Sequence, residues 1–138
     1  MHTEGLFAPE TAEAARERYA DLGSTAQVVV KETAKAMAFD REEYGERVTS
    51  DVVETARDAL FAELLAVHVG TREAFDEWVA DRPDYEVVEF GSEHVDNVVW
   101  HDAAFAETVV AATYQSEPDA AVGTLRRQAF GEVYREAL

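Results

Sequence analysis

Apolar residues recur every three or four positions along much of the first half of the chain, a spacing that places side chains on one face of an α-helix. This spacing predicts four helices, at about residues 9–22, 24–38, 50–69 and 71–81. The third has the widest apolar face, which is typical of a helix at the centre of a core. Thr71 is a suitable N-cap for the fourth helix, and the polar segment 39–49 is predicted to be a connection.

Short β-branched segments replace the helical pattern in the second half of the chain. Three of them are predicted strands, at 85–90, 94–100 and 106–115. Their short connections favour an antiparallel meander over residues 85–115. A closing helix begins near Ser116, with Pro118 in its first turn. The predicted fold class is therefore α+β, with about five helices packed on one face of a small three-stranded antiparallel sheet.

The chain of 138 residues has no linker-like segment and no internal repeat, so we expect a single domain over 1–138. It has no cysteine, which excludes disulfides, a thiol nucleophile and cysteine-ligated zinc. No apolar run is long enough to suggest a membrane span, and the first residues lack the basic and apolar segments of a secretory signal. We therefore expect a soluble cytoplasmic protein without a membrane partner.

Acidic residues outnumber basic ones by 29 to 12, which gives a formal net charge of −17 spread along the chain. Spread acidity is typical of a solvating surface, and molar salt screens its self-repulsion. Ten of the 12 basic residues are arginines and isoleucine is absent, so the composition favours a protein adapted to high salt. The alternative is an acidic partner for a basic protein, or a nucleic-acid mimic. Non-specific binding to nucleic acid is disfavoured in either case, because it needs clustered cations.

His101 and Asp102 form the one adjacent His–Asp pair in the chain, and they are the candidate catalytic residues. A catalytic role needs a base held by an acid, with a nucleophile or a metal within reach. The alternative is a corner between two strands, in which Asp102 serves the turn. Because side chains alternate along a strand, Trp100 is predicted to face the helices, while His101 points away, towards solvent or a dimer partner.

Metal ligation has three candidate residues in this region, His94, Asp96 and His101. Imidazole and carboxylate groups are suitable ligands, but the spacing of these residues matches no known metal motif. His68 borders the apolar stripe of the third predicted helix, where a neutral, hydrogen-bonded histidine is more common than a metal ligand. No cofactor is expected.

The candidate binding residues, Arg126, Arg127 and Tyr134, lie in the closing helix. Arg126, Phe130 and Tyr134 follow one another at spacings of four, so the arginine is predicted to stack along the aromatic rings. Arg127 lies on another flank, where an ion pair within the protein is predicted. The alternative is a clamp for a carboxylate or phosphate, which the planar guanidinium group suits.

Three segments, VVWHDAAF, VVAATYQ and TLRRQAFGEVYRE, resemble segments of an uncharacterised family of small acidic haloarchaeal proteins. The likeness covers most of the chain and is strongest from residue 94 to the end. The resemblance implies adaptation to high salt and a one-domain fold. It implies no activity, and it assigns no catalytic or binding residue.

These observations favour a non-enzymatic interaction or regulatory module with an unknown protein partner, for which a homodimer is one arrangement. The alternative is a small enzyme or an anion-binding protein whose site lies between the 101–105 corner and the closing helix. A concave pocket shared by His101, Asp102 and Arg127 would favour that alternative.

Overall fold

A computed structural model of the chain describes residues 1–138, and its architecture is α+β. The strands are β1 (His2–Glu4), β2 (Val67–Thr71), β3 (Glu86–Phe90), β4 (Asn97–Ala103) and β5 (Thr108–Thr113). The helices are α1 (Ala12–Asp21), α2 (Gly23–Ala36), α3 (Arg41–Arg47), α4 (Ser50–Leu64), α5 (Arg72–Ala80), α6 (Pro118–Ala129) and α7 (Arg135–Ala137). A 3₁₀ turn over Ala104–Ala106 joins β4 to β5, and a π-helical turn over Phe130–Tyr134 joins α6 to α7. None of the helices combines the length and the apolar character that crossing a bilayer requires.

The five strands form one mixed sheet in the order β1-β2-β4-β5-β3. Neighbouring strands are antiparallel except β3, which runs parallel to β5 at the edge of the sheet. The predicted three-stranded meander over 85–115 is therefore wrong, since β3 and β4 are not neighbours. The run Val98–Val99–Trp100 explains the difference, because all three side chains are fully buried. A strand buried on both faces belongs in the middle of a sheet, with a neighbour on each side.

The helix predicted over about 50–69 is two elements, α4 and β2. The helix ends because main-chain hydrogen bonds from the N-terminal segment replace the next helical turn. The N–H of Phe7 donates to the carbonyl of Leu64 at 3.1 Å, and the N–H of Ala66 donates to the carbonyl of Phe7 at 2.8 Å. The chain then enters β2, where Val67 and Val69 are buried. This alternation is typical of a strand.

Helices cover both faces of the sheet, so the expectation that one face is covered is also wrong. On one face, α1, α4 and α6 contribute Ala15, Phe61 and Leu125 to the larger core cluster. On the other face, α5 contributes Phe75 to a smaller cluster that includes Trp100. Thr71 caps α5 as predicted, because its hydroxyl accepts a hydrogen bond from the N–H of Ala74 at 3.1 Å.

The α2–α3 end of the molecule lies away from the sheet. Helix α2 packs on α4 and α1, and it buries Ala26, Val30 and Ala34. The predicted connection over 39–49 contains the short helix α3, whose N-terminus is capped by the carboxylate of Asp40. Because no third layer lies over this end, several apolar side chains of α2 and α4 stay exposed.

Candidate functional site

His101 is fully buried between the sheet and the last helical segment. Its Nδ1 lies 2.7 Å from the carbonyl oxygen of Ala66, and its Nε2 lies 2.6 Å from the hydroxyl of Tyr134. Trp100 is buried on the opposite face, as predicted, and the two side chains alternate as strand geometry requires. The prediction that His101 points towards solvent or a dimer partner is wrong, because α4, α6 and the π turn cover its face as well.

These two hydrogen bonds define the protonation state of the ring. A carbonyl oxygen accepts and never donates, so Nδ1 carries the hydrogen and Nε2 accepts from the Tyr134 hydroxyl. Burial lowers the pKa of His101 to about 4, although the Ala66 carbonyl and Asp102 act in the opposite direction. Burial likewise raises the pKa of the Tyr134 hydroxyl well above its usual range. Both groups are neutral at neutral pH, and the pair joins β4 to the last helical segment.

The π turn brings Tyr134 to this position. The N–H of Arg135 donates to the carbonyl of Phe130, five residues earlier. In a regular α-helix a residue five positions on is rotated by about 140°, whereas one π turn returns it to the same side. Tyr134 therefore lies on the buried side that Ala129 occupies one turn earlier, and both are fully buried.

Asp102 lies on the opposite face of the sheet from His101, so the two do not form a catalytic pair. Its carboxylate accepts a hydrogen bond from the hydroxyl of Tyr85 at 2.8 Å. Burial and this hydrogen bond raise the pKa of Tyr85 to about 12. The prediction that Asp102 serves the corner is wrong as well, because Asp102 lies within β4 and the chain turns later, where Glu107 has a φ of 46°.

His68 lies on the same face as Asp102, in β2 rather than in a helix. Its Nδ1 is 2.8 Å from the hydroxyl of Thr3, and its ring packs 5.4 Å from Trp100 and 6.2 Å from Trp78, measured between centroids. Burial lowers the pKa of His68, while Asp102 opposes that shift. Neither residue lines any of the larger clefts of the protein, and the arrangement stabilises the aromatic layer under α5.

The candidate binding residues of the closing helix are not brought together. Arg126 donates from Nε to the carbonyl of Leu65 at 2.9 Å, and its Nη1 lies 3.7 Å from a carboxylate oxygen of Glu63. It therefore caps the carbonyl end of α4, where helical partners are missing, and the predicted stacking on Phe130 and Tyr134 is wrong. Arg127 is exposed and forms no ion pair, so that prediction is wrong too.

The three candidate metal ligands are also separated. His94 is exposed in the loop between β3 and β4, and its nearest carboxylate, from Glu93, is 3.9 Å away. Asp96 lies at the end of that loop, where its main-chain carbonyl accepts from the N–H of Arg72 at 2.7 Å. His101 is inside the fold, and no three metal-ligating side chains cluster anywhere in the chain.

An apolar groove between α2 and α4 is the most distinctive surface feature. We call it the α2–α4 groove; its volume is about 360 Å³. Nine of its 12 lining residues are hydrophobic, and none is a carboxylate. The lining residues are Val29, Val30, Thr33, Ala34, Met37, Phe39, Arg47, Val48, Val52, Thr55, Ala56 and Ala59. In a chain with 29 acidic residues, a groove without any of them is an unusual part of the surface, and Arg47 is its one charged lining residue.

Exposed apolar side chains line this groove, and basic side chains lie at its rim. Val29 is 42% exposed, Val52 41% and Met37 60%. Both lysines of the chain, Lys31 and Lys35, line a smaller adjoining cavity that shares Ala34 and Phe39 with the groove. Neither lysine forms an ion pair within the chain.

The comparison with known proteins gives a family. Residues 6–135 match a family of unknown function (DUF5809). The chain belongs to this family. No curated protein and no solved structure matches the chain. The expectation of an uncharacterised family is thus confirmed, and membership of DUF5809 assigns no activity and no site residue.

Sequence reasoning missed the groove of this DUF5809 member because it assigned every apolar stripe to the interior. A signal was present in the contiguous run Val28–Val29–Val30. Three consecutive residues of a helix point in directions about 100° apart, so one packed face cannot bury them all. Val30 is buried in the structure, while Val28 and Val29 are exposed.

Proposed function

We propose that the protein is a non-enzymatic interaction module and that the α2–α4 groove is its binding surface. The observation that carries the proposal is a concave, apolar surface free of carboxylates on a protein whose net charge is −17. Contiguous exposed apolar surface of this kind is typical of a protein interaction site. We further propose that the chain is a single domain.

The occupant that suits the groove is an amphipathic helix from a partner protein. The groove runs between two helices, and Val52, Ala56 and Ala59 follow each other along α4 at helical spacing. Such grooves bind helices through apolar side chains at positions i, i+3 or i+4, and i+7. Lys31, Lys35 and Arg47 at the rim favour carboxylates on the flanks of that helix.

The enzyme alternative has less support. His101, Asp102 and Arg127 share no cleft, because the first is inside the core, the second is on the other face of the sheet and the third is on the surface. Both ring nitrogens of His101 are already hydrogen-bonded, to Ala66 and to Tyr134, so neither is available to a substrate at the 101–105 corner.

We also propose that the protein works in the cytoplasm of a cell with molar salt, as proteins of salt-adapted archaea do. The support is the acidic surface together with the scarcity of lysine. We expect the melting temperature to rise as KCl is raised from dilute to molar concentration, because salt screens the repulsion between carboxylates. A melting temperature that stays constant across the KCl series would contradict adaptation to high salt.

A designed peptide tests the binding proposal directly. The probe is a helical peptide with leucines at i, i+3 and i+7 and glutamates on its flanks, and the control peptide has alanine in place of the leucines. Fluorescence anisotropy in molar KCl measures both. We expect Val29→Glu and Val52→Glu to weaken binding by about ten-fold or more, because each places a charge against the apolar face. Val28→Glu is the matched control, since Val28 is 57% exposed on the same helix α2 but does not line the groove.

Three results would overturn the proposal: no binding of the leucine peptide, equal binding of the alanine peptide, or equal weakening by Val28→Glu. Capture from a lysate in molar KCl then identifies the natural partner. The informative proteins are those retained by the wild type and by Val28→Glu and lost with Val52→Glu.

A further inference from the structure

Strand β3 is the longer of the two edge strands of the sheet, and its outer edge has no neighbouring strand. The N–H of Glu86 donates to the carbonyl of Glu107 on the β5 side at 2.8 Å. In a parallel pair, residues alternate between bonding to the neighbour and facing away from it. Glu86, Val88 and Phe90 therefore bond to β5, and the N–H and carbonyl groups of Val87 and Glu89 point outwards.

We propose that the β3 edge pairs with the β3 edge of a second copy, antiparallel, around a two-fold axis at Val88. In this register Val87 lies opposite Glu89 of the second copy, and the two residues exchange both main-chain hydrogen bonds. By symmetry, Glu89 exchanges the same two hydrogen bonds with Val87 of the second copy. All four outward groups of the strand are then satisfied, and two five-stranded sheets become one continuous sheet.

The distribution of charge on β3 suits this register. Glu89 faces Val87 across the axis, and Glu86 faces Phe90, so no carboxylate lies directly opposite another. Glu89 is also neutralised within its own chain, because Nη1 of Arg72 lies 2.6 Å from its carboxylate. Pairing covers Val87, which is 42% exposed in the single chain. Like charges directly opposite each other would destabilise a sheet, and this register avoids them.

The second edge strand offers a poorer surface for the same pairing. Strand β1 has only three residues. Nε2 of His2 lies 3.0 Å from a carboxylate oxygen of Glu4 within the same strand. The β3 edge is also separate from the α2–α4 groove, because no residue of β3 lines that groove. Failure of either proposal, the groove as a binding surface or the β3 edge as a dimer interface, would leave the other unaffected.

Engineered disulfides test the register, because the chain has no cysteine of its own. Residues paired without mutual hydrogen bonds lie about 4.5 Å apart between Cα atoms, which is within the range that a disulfide spans. Val88→Cys is therefore expected to form a disulfide-linked dimer on mild oxidation in molar KCl. Glu86→Cys is the matched control on the same face of the strand, and its two copies would be about 14 Å apart.

A second variant removes the pairing without the need for oxidation. Val87→Pro deletes an outward N–H and leaves the bonds to β5 in place, a substitution that edge strands tolerate. Sedimentation in molar KCl should give a mass near twice the 15.3 kDa of the chain for the wild type and the mass of one chain for Val87→Pro. Circular dichroism checks that Val87→Pro is folded, and Val52→Glu in the groove should leave the dimer intact.

Two measurements, disulfide cross-linking and the mass of the folded variants, decide the proposal. Cross-linking of Val88→Cys with little cross-linking of Glu86→Cys supports the register, as does a folded, monomeric Val87→Pro variant. A wild type that is monomeric at every concentration overturns the proposal. It is equally overturned if Glu86→Cys links as fast as Val88→Cys, or if a folded Val87→Pro variant remains a dimer. Loss of the dimer with Val52→Glu would assign the dimer interface to the groove instead.

Discussion

Two regions of the molecule use the same kinds of residue with opposite results. In the layer between β4 and the π turn, His101 and Tyr134 are fully buried, and both ring nitrogens of the histidine are hydrogen-bonded. At the α2–α4 groove, Val29, Met37 and Val52 lie on well-formed helices or at their ends and stay exposed. An apolar stripe therefore does not distinguish core from interface. The deciding factor is whether a second layer of the same chain lies over it.

The largest expected effect on the free energy of unfolding comes from truncating a fully buried aromatic side chain. Trp100→Ala should lower the free energy of unfolding by about 3–5 kcal/mol, because it removes a fully buried indole and leaves a cavity under α5. Met37→Ala, at a side chain 60% exposed, should change it by less than about 0.5 kcal/mol. Urea denaturation in molar KCl measures both. Similar losses for the two variants would remove the contrast between the regions.

Acid should weaken the layer around His101. The pKa of His101 is about 4 in the folded chain and near 6.5 when unfolded, so the unfolded state binds the proton more readily. The stability that the neutral ring contributes is fully present above pH 6.5 and is lost as the pH falls towards 4. The expected loss is about 3 kcal/mol, because each tenfold difference in proton affinity between the two states corresponds to about 1.4 kcal/mol.

A matched variant isolates this contribution from the many carboxylates. His101→Leu replaces the imidazole with an apolar side chain of similar size that does not titrate. The difference in the pH dependence of the free energy of unfolding between wild type and variant is therefore the contribution of His101. The lowered pKa of His68 acts in the same direction, but it is common to both proteins. Parallel pH profiles between 4 and 6.5 would show that His101 does not titrate in this range.

A smaller loss is expected from cutting one hydrogen bond in the layer. Tyr134→Phe removes the hydroxyl that donates to Nε2 of His101, and it leaves a buried acceptor without a partner. The free energy of unfolding should fall by about 1–3 kcal/mol. The imidazole signals of His101 in an NMR spectrum should shift as well. An unchanged spectrum would mean that this hydrogen bond does not form in solution.

The smallest effect should come from the groove itself. Val29→Glu and Val52→Glu each alter a side chain that is more than one-third exposed, so the free energy of unfolding should change by about 0.5 kcal/mol or less in molar KCl. The same variants are expected to weaken binding of the leucine peptide by about ten-fold or more. A large loss of stability would show that these valines serve the fold and not an interface.

Local signals in the sequence predicted several features correctly. Thr71 caps α5, Pro118 lies in the first turn of α6, and Trp100 is a buried anchor of β4. Each of these features depends on nearby residues or on strand alternation, so a single sequence contains the information. The α+β class follows from the same change of period along the chain.

Features that depend on distant parts of the chain were not predictable in this way. The segment directly after Leu64 has no glycine or proline that ends a helix, and it becomes a strand because Phe7 and β4 offer it hydrogen bonds. The position of His101 has the same origin. Alternation correctly separates it from Trp100, but it does not show that helices cover both faces.

The π turn affects how the last helical segment of this chain should be aligned with other sequences. It amounts to one extra residue in an otherwise continuous helix from Pro118 to Ala137. Gly131 is exposed within the turn, and a side chain added there would meet nothing within 4 Å. A chain shortened by this one glycine should form an unbroken α-helix in which the tyrosine follows Ala129 by four positions and still reaches His101. A gap of one residue at this point in an alignment would therefore mark a straightened helix with the same histidine–tyrosine contact.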